Sequence, residues 1–109
     1  MKEKWIKIND RFEMCNTKNN MTYDDAVKSL KKGERLPEDF ECCEAFRKYE
    51  ELEIIRYKDY WNKSINGVAR VSWLNYFSSN SNFIAEVRSV DNNSGSIRGV
   101  LKIRNIKVK

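Results

Sequence analysis

The residues best suited to chemistry in this sequence are basic and aromatic side chains in its second half. Residues 1–53 carry 11 basic and 13 acidic side chains, whereas residues 54–109 carry 10 basic and 3 acidic ones. Guanidinium and ammonium groups bind phosphates and carboxylates, and aromatic rings beside them stack on bases or anchor protein interfaces. The residues that we predict to contact a partner are Arg70, Trp73, Tyr76, Arg88, Arg98, Lys102 and Arg104.

The spacing of the last three cations places them on one face of a strand. Arg98, Lys102 and Arg104 are separated by even intervals, and alternate residues of a strand point the same way. Such a row suits an acidic partner, although a solvated edge strand carries similar residues to prevent association. No aromatic RNA-binding signature or Gly-x-x-Gly loop accompanies the row. We therefore expect a protein partner with an acidic surface, with nucleic acid as the alternative.

Catalytic chemistry has few suitable residues. The sequence has no histidine, which excludes Ser-His-Asp and Cys-His catalysis and the usual zinc sites. The adjacent carboxylates Asp24/Asp25 and Glu50/Glu51 suit helix ends and solvated faces better than an active site. Residues 91–95 begin like a calcium loop but lack its later glutamate, so a turn is the simpler interpretation. We expect no enzyme activity, no cofactor and no metal.

Length and composition limit the class of protein. A chain of 109 residues with 12% aromatic side chains suits one folded domain, which we expect to span residues 1–109. No apolar run approaches the roughly 18 residues that cross a bilayer, and no signal region follows the first charges. Cys15, Cys42 and Cys43 are odd in number and two are adjacent, which favours a reducing compartment. We expect a cytoplasmic protein of a bacterium or an infected host cell.

The elements that position these residues begin with a short strand and two helices. Apolar residues alternate near the N-terminus and then recur at helical spacing in two stretches. In the second stretch an apolar face opposes Glu41, which we expect to point outward. The predicted elements are a strand around Ile6 and Ile8, a loop at 16–20, a helix from Thr22 to Gly33 and a helix from Pro37 to Leu52 or Glu53.

The remainder of the chain is β-like. Asn66-Gly67 is a strong signal for a tight hairpin turn. A strand can precede it, and the alternation of apolar residues predicts further strands after it. The predicted strands are 54–57, Val68 to Phe77, Phe83 to Val90 and Ile97 to Arg104, with a phase shift past Asn105. This order indicates an α+β fold in which two helices pack on a twisted, mainly antiparallel sheet.

Four segments of the sequence carry short motifs in a fixed order: residues 21–27, 35–38, 60–64 and 97–100. They resemble, in that order, a "MTW-x-EA" helix start, a "RLPT-x-xE" segment, a "YWSST" strand and a closing "VRCVR" strand. These are motifs of C-type-lectin-like domains of bacteria and phages, in the formylglycine-generating-enzyme-like and Lcl C-terminal-like branches, and the chain resembles that family.

The resemblance implies a C-type-lectin-like fold and a ligand-binding role. It places Leu36, Pro37 and Trp61 in the core, and a ligand face in residues 62–82 and 91–96. The calcium-lectin triplets are missing, since Lys63 follows Trp61-Asn62, and the catalytic cysteines of the formylglycine branch have no counterpart.

Composition adds an expected origin. Heavy use of Lys, Asn, Ile and Tyr suits a low-GC bacterium or its phage. The expected function is a small non-catalytic binding module of a phage or mobile element, which binds and inhibits a host protein such as a defence nuclease. The alternative is a nucleic-acid-binding protein that uses the basic C-terminal half.

Overall fold

A computed structural model describes residues 3–77, 82–90 and 95–106, and it contains one mixed sheet with helices against it. The strands are β1 (Trp5–Lys7), β2 (Phe12–Met21), β3 (Glu34–Arg35), β4 (Tyr60–Ile65), β5 (Val68–Phe77), β6 (Asn82–Val90) and β7 (Arg98–Asn105). The helices are α1 (Tyr23–Lys28), α2 (Asp39–Ala45) and α3 (Tyr49–Leu52), with a 3₁₀ turn at Phe46–Lys48.

The sheet is mainly antiparallel, in the order β1-β2-β7-β4-β5-β6. Strand β7 lies in its centre and pairs with β2 on one side and with β3 and β4 on the other. The β7–β4 pairing is parallel and brings Tyr60 opposite Gly99. The predicted α+β class is confirmed.

Each face of the sheet carries its own apolar cluster. Neighbouring residues of one strand point to opposite faces, and the pairs Tyr60/Trp61 and Val100/Leu101 divide between the two clusters. Helices α2 and α3 cover the face that carries Leu101, here called face I. Helix α1 packs with Trp61 and Val100 on the other side, here called face II.

Local sequence signals explain several boundaries. The hydroxyl of Thr22 accepts a hydrogen bond from the Asp25 N–H and caps α1. Asn66 and Gly67 both have positive φ, as the tight β4–β5 turn requires. Strand β5 matches its predicted bounds, and β6 begins one residue earlier than predicted.

Other predicted boundaries are wrong. The loop predicted at 16–20 belongs to β2, where a bulge interrupts the pairing with β7. Helix α1 ends at Lys28, well before Gly33. The second predicted helix begins at Asp39 and is interrupted by the 3₁₀ turn. In place of the strand predicted at 54–57, only Arg56 forms an isolated bridge.

Glu41 is also a correction, because the structure buries it. Its carboxylate accepts two hydrogen bonds from Arg35 and one from the Glu38 N–H, which completes a capping box at the start of α2. Within residues 3–77, 82–90 and 95–106, the helices are all too short to cross a membrane.

Candidate binding site

The predicted contact residues divide between the two faces of the sheet. Arg70 pairs with Ser89 across the β5–β6 ladder and lies on face I beneath α2. Four further cations and the tryptophan of β5 lie on face II. Each is an even number of residues from Val71 or Val100 in the same strand, or in the case of Arg88 lies opposite Val71 in the β5–β6 ladder. The face II residues are Trp73, Arg88, Arg98, Lys102 and Arg104. Tyr76 belongs to β5, and its side chain lies outside the described part of the chain.

Arg70 is committed to an internal polar group. Its guanidinium donates to Asp39 Oδ2 at 2.6 and 3.1 Å and to Ser89 Oγ at 2.7 Å. The other oxygen of Asp39 accepts from Asn62, a side chain with no exposed surface. Asn62 in turn accepts from Ser72 and from the Cys42 thiol. We call these side chains the Asp39 group: Asp39, Cys42, Asn62, Arg70, Ser72 and Ser89.

Lys102 is buried and is not available to a partner in this arrangement. Only 3% of its side chain is exposed, and its Nζ contacts Glu3 at 2.6 Å and Glu34 at 2.9 Å. Burial alone would lower the pKa of Lys102, but hydrogen bonds to the two carboxylates raise it above its ordinary value. The lysine is therefore a charged structural residue of face II.

Each tryptophan of the chain has a cation over its ring. Arg104 lies 4.0 Å from the centre of the Trp5 ring and also pairs with Glu13. Arg98 lies 4.7 Å above Trp61, and Arg88 lies 5.2 Å above Trp73. Such stacks hold a guanidinium in place and cover one face of each ring.

Arg88 and Arg98 meet at a single carboxylate. Asp59 Oδ2 accepts from Arg88 Nη2 at 2.9 Å and lies 3.4 Å from Arg98 Nε. Gly99 helps to place this carboxylate, because its N–H donates to the Asp59 carbonyl. A Cβ at Gly99 would lie 2.5 Å from the Tyr60 ring, so the approach of β7 to β4 requires glycine.

A shallow cleft of about 630 Å³ opens beside Asp59. Its rim includes Tyr57 and Ile97, which are 61% and 65% exposed. The other residues of the lining are polar or charged, so the cleft has an apolar rim next to charged side chains. We call it the Asp59 cleft; its lining is Asn20, Tyr57, Lys58, Asp59, Ser96, Ile97 and Arg98.

Tyr57 has a backbone conformation that tyrosine rarely adopts. Its φ is +67°, in the left-handed region that is costly for a bulky residue. The Tyr57 N–H donates to the Leu74 carbonyl at 3.0 Å, and this bond holds the segment against β5. The ring of this residue is exposed on the cleft rim, and residues in costly backbone conformations cluster at ligand sites.

Arg98 has incomplete internal bonding. Its Nη1 is buried and has no hydrogen-bond partner among the described residues, and its contact with Asp59 is long. An unpaired buried N–H is costly, and cases in folded proteins are few. By contrast, Arg35 beside a second cleft donates to both oxygens of Glu41 and to Asn105.

The three cysteine thiols all have raised pKa values. Cys15, Cys42 and Cys43 are free thiols, and burial raises the pKa of each above its ordinary value. A raised pKa disfavours the nucleophilic thiolate. Within the described ranges, no group of three or more cysteine or carboxylate side chains is placed to hold a metal ion.

Sequence reasoning identified the two arginines that contact Asp59, but of the seven residues that line the cleft it missed five: Asn20, Tyr57, Lys58, Asp59 and Ile97. Asp59 is one of only three acidic residues after residue 53, which was the available signal. Ile97 was predicted to continue the apolar row of the last strand, but it precedes β7 and is exposed. Tyr57 was predicted in a strand. Of the predicted ligand segments, residues 78–81 and 91–94 lie outside the described part of the chain.

The comparisons with known proteins give no match. No protein-family model matches the sequence, and neither curated proteins nor solved structures resemble it closely enough to count as relatives.

Proposed function

We propose that this chain is a small non-catalytic module that binds a protein through the Asp59 cleft and its apolar rim. The observation that carries the proposal is the exposure of Tyr57 and Ile97 beside a charged group that includes Arg98. Aromatic, large apolar and arginine side chains around one depression are typical of interface anchors. Tyr57 holds a left-handed backbone conformation at this position, which is costly for a bulky residue.

We further propose a C-type-lectin-like architecture and an inhibitory role in a phage or mobile element. The burial of Leu36, Pro37 and Trp61 supports the architecture, because the resemblance implies all three in the core. Ser96 lines the cleft and falls in one of the implied ligand segments. The inhibitory role rests on composition and size, and the partner would be a host protein with an acidic surface, such as a defence nuclease.

Binding through this cleft is tested with immobilised wild type and three single variants. Tyr57→Asp and Ile97→Asp place a charge on the rim. Ile65→Asp is the matched control, since Ile65 is 51% exposed at the opposite end of β4. A host protein retained from lysate of a low-GC bacterium should bind wild type and the control equally. Retention by the rim variants should fall about tenfold or more; unchanged retention contradicts the proposal.

Nucleic-acid binding is the second candidate, because residues 54–109 carry 10 basic and 3 acidic side chains. Against it, the five cations that we predicted to contact a partner all contact a carboxylate internally. A mobility-shift measurement with single- and double-stranded DNA and RNA decides between them. We expect no shift at moderate salt. A shift that weakens steeply with salt and is lost in Arg88→Glu and Arg104→Glu would replace the protein-binding proposal.

A further inference from the structure

The charges around the Asp59 cleft favour an anionic ligand. Lys58 and Arg98 line it, and Arg88 reaches the same carboxylate from β6. Two arginines therefore contact one carboxylate, Asp59, and Lys58 adds a third cation to the cleft, with its Nζ 5.5 Å from the centre of the Tyr60 ring. A ligand that carries a negative charge would reduce this imbalance, and a cationic ligand would increase it.

The guanidinium of Arg98 is only partly used inside the protein. Its Nε lies 3.4 Å from Asp59, whereas Arg35 contacts Glu41 at 2.6 and 2.7 Å. Arginine and carboxylate groups form their strongest contacts as two parallel hydrogen bonds. Arg98 lacks such a pair, and its Nη1 has no acceptor among the described residues. Because Nη1 is buried, a carboxylate arriving in the cleft would reach Arg98 through the 16% of its side chain that is exposed, and it would add to the one oxygen that Asp59 shares with Arg88.

The rim of the cleft distinguishes a peptide from a simple anion. Tyr57 and Ile97 offer apolar surface that inorganic phosphate has no group to cover. An apolar side chain next to a carboxylate matches both parts of the site.

We infer that the Asp59 cleft takes an acidic peptide segment, with a carboxylate against Arg98 and Lys58 and a neighbouring apolar side chain between Tyr57 and Ile97. This inference rests on the proposed function and specifies the chemistry of the partner.

Titration with a matched pair of peptides, followed by nitrogen-15 NMR, tests the inference without the natural partner. The probes are acetyl-Ala-Leu-Asp-Leu-Ala-amide and the same peptide with asparagine at its centre. The aspartate peptide should shift the amide signals of Ile97 and the Nε–H signal of Arg98. It should bind about tenfold more tightly than the asparagine peptide, because only the aspartate side chain can form a charge-assisted hydrogen bond with the cations of the cleft.

Two variants connect any preference to the cleft. Lys58→Gln removes a cation from the wall, and Lys63→Gln removes the same charge from the exposed part of β4. The preference for aspartate should fall several-fold in Lys58→Gln and persist in Lys63→Gln. Arg98→Lys, which keeps the charge and loses the planar fork, should reduce it further. If Arg98→Lys does not fold, the Lys58/Lys63 pair still decides the result.

The outcomes separate this inference from the proposed function. Equal binding of the two peptides, absence of binding by both, or tighter binding of inorganic phosphate or oligothymidylate at the same signals would overturn the inference. In each case the proposed function stands if Tyr57→Asp still loses a host protein that Ile65→Asp retains. It falls with the inference if both rim variants retain that protein.

Discussion

The Asp39 group and the Asp59 cleft are built from the same parts and are completed to different degrees. Each has an aspartate that contacts an arginine of similar exposure, 20% for Arg70 and 16% for Arg98. Arg70 reaches Asp39 at 2.6 Å and also donates to a serine, and the second Asp39 oxygen accepts from Asn62. Arg98 has one long contact and an unpaired N–H.

The difference indicates which group stabilises the fold and which is left for a ligand. The centre of the Asp39 group is fully buried at Asn62, Ser72 and Cys42, so an unmet hydrogen bond at these side chains would cost stability that water could not restore. Asp59 and Arg98 line an open cleft, where a ligand can reach the exposed part of both side chains. Completed polar groups are structural, and incomplete ones beside a cleft are candidate sites.

The largest loss of stability is expected when the Asp39 group loses its central side chain. Asn62→Ala removes one donor to Asp39 and the acceptor for Ser72 and Cys42. We expect the free energy of unfolding to fall by about 3 kcal/mol, because buried polar groups lose partners and a cavity forms. Urea denaturation measures it. Asn75→Ala, which loses one partly buried bond to Glu86, is the control and should cost about 1 kcal/mol or less.

Gly99→Ala tests the close approach that places Asp59. The added methyl would lie 2.5 Å from a fully buried Tyr60 ring, so we expect a loss of about 2 kcal/mol by thermal or urea unfolding. Gly67→Ala meets no atom within 4 Å but has a φ of +78°, and it should cost about 1 kcal/mol through backbone strain alone. Equal losses would mean that Tyr60 moves aside easily.

Acid should weaken the contact between Glu41 and Arg35. Burial alone would raise the pKa of Glu41, but hydrogen bonds from Arg35 and the Glu38 N–H hold it below its ordinary value of 4.5. A carboxylate with a lowered pKa stabilises the fold above its unfolded pKa and loses that contribution as pH falls through the folded one. Stability should therefore decline below about pH 4.5. Glu41→Gln should unfold more easily at pH 7 and show a shallower decline; an unchanged slope would exclude this carboxylate as a cause.

The smallest change in stability is expected for Tyr57→Gly, which should nevertheless abolish binding. Tyr57→Gly removes the cost of a left-handed tyrosine but adds backbone freedom to the unfolded chain. The net change should lie within about 0.5 kcal/mol of zero, while retention of the host protein is lost. Glu53→Gly is the matched control, because Glu53 also has a positive φ at the end of α3. That variant should keep its binding, and loss of binding in both would point to a general disturbance.

Much of the fold could be predicted because local signals carry it. Thr22 caps a helix, Asn66-Gly67 makes a tight turn, and β5 follows from alternation. The error at 16–20 arose because polar residues were interpreted as a loop. There Asn16 Nδ2 donates to the Leu52 carbonyl, a contact between residues far apart in sequence. Propensity does not contain such information.

The candidate site was less predictable for the same reason. Basic residues were visible, but their neutralisation depends on distant partners such as Asp39 for Arg70 and Glu34 for Lys102. The exposure of Ile97 follows from where β7 begins, one residue later than alternation predicted. Charge along a sequence therefore identified the arginines of the cleft without showing which cations remain available.

The comparison itself is tested most directly by the unfolding free energies of Arg70→Met and Arg98→Met, measured together in urea. Methionine keeps much of the apolar stem and removes the guanidinium. We predict a loss of about 2 kcal/mol for Arg70→Met, which removes two hydrogen bonds to Asp39 and one to Ser89, and about 1 kcal/mol or less for Arg98→Met, which removes a long ion pair and a ring contact. An equal or larger loss for Arg98→Met would contradict the account, because Asp59 would then be a second structural centre.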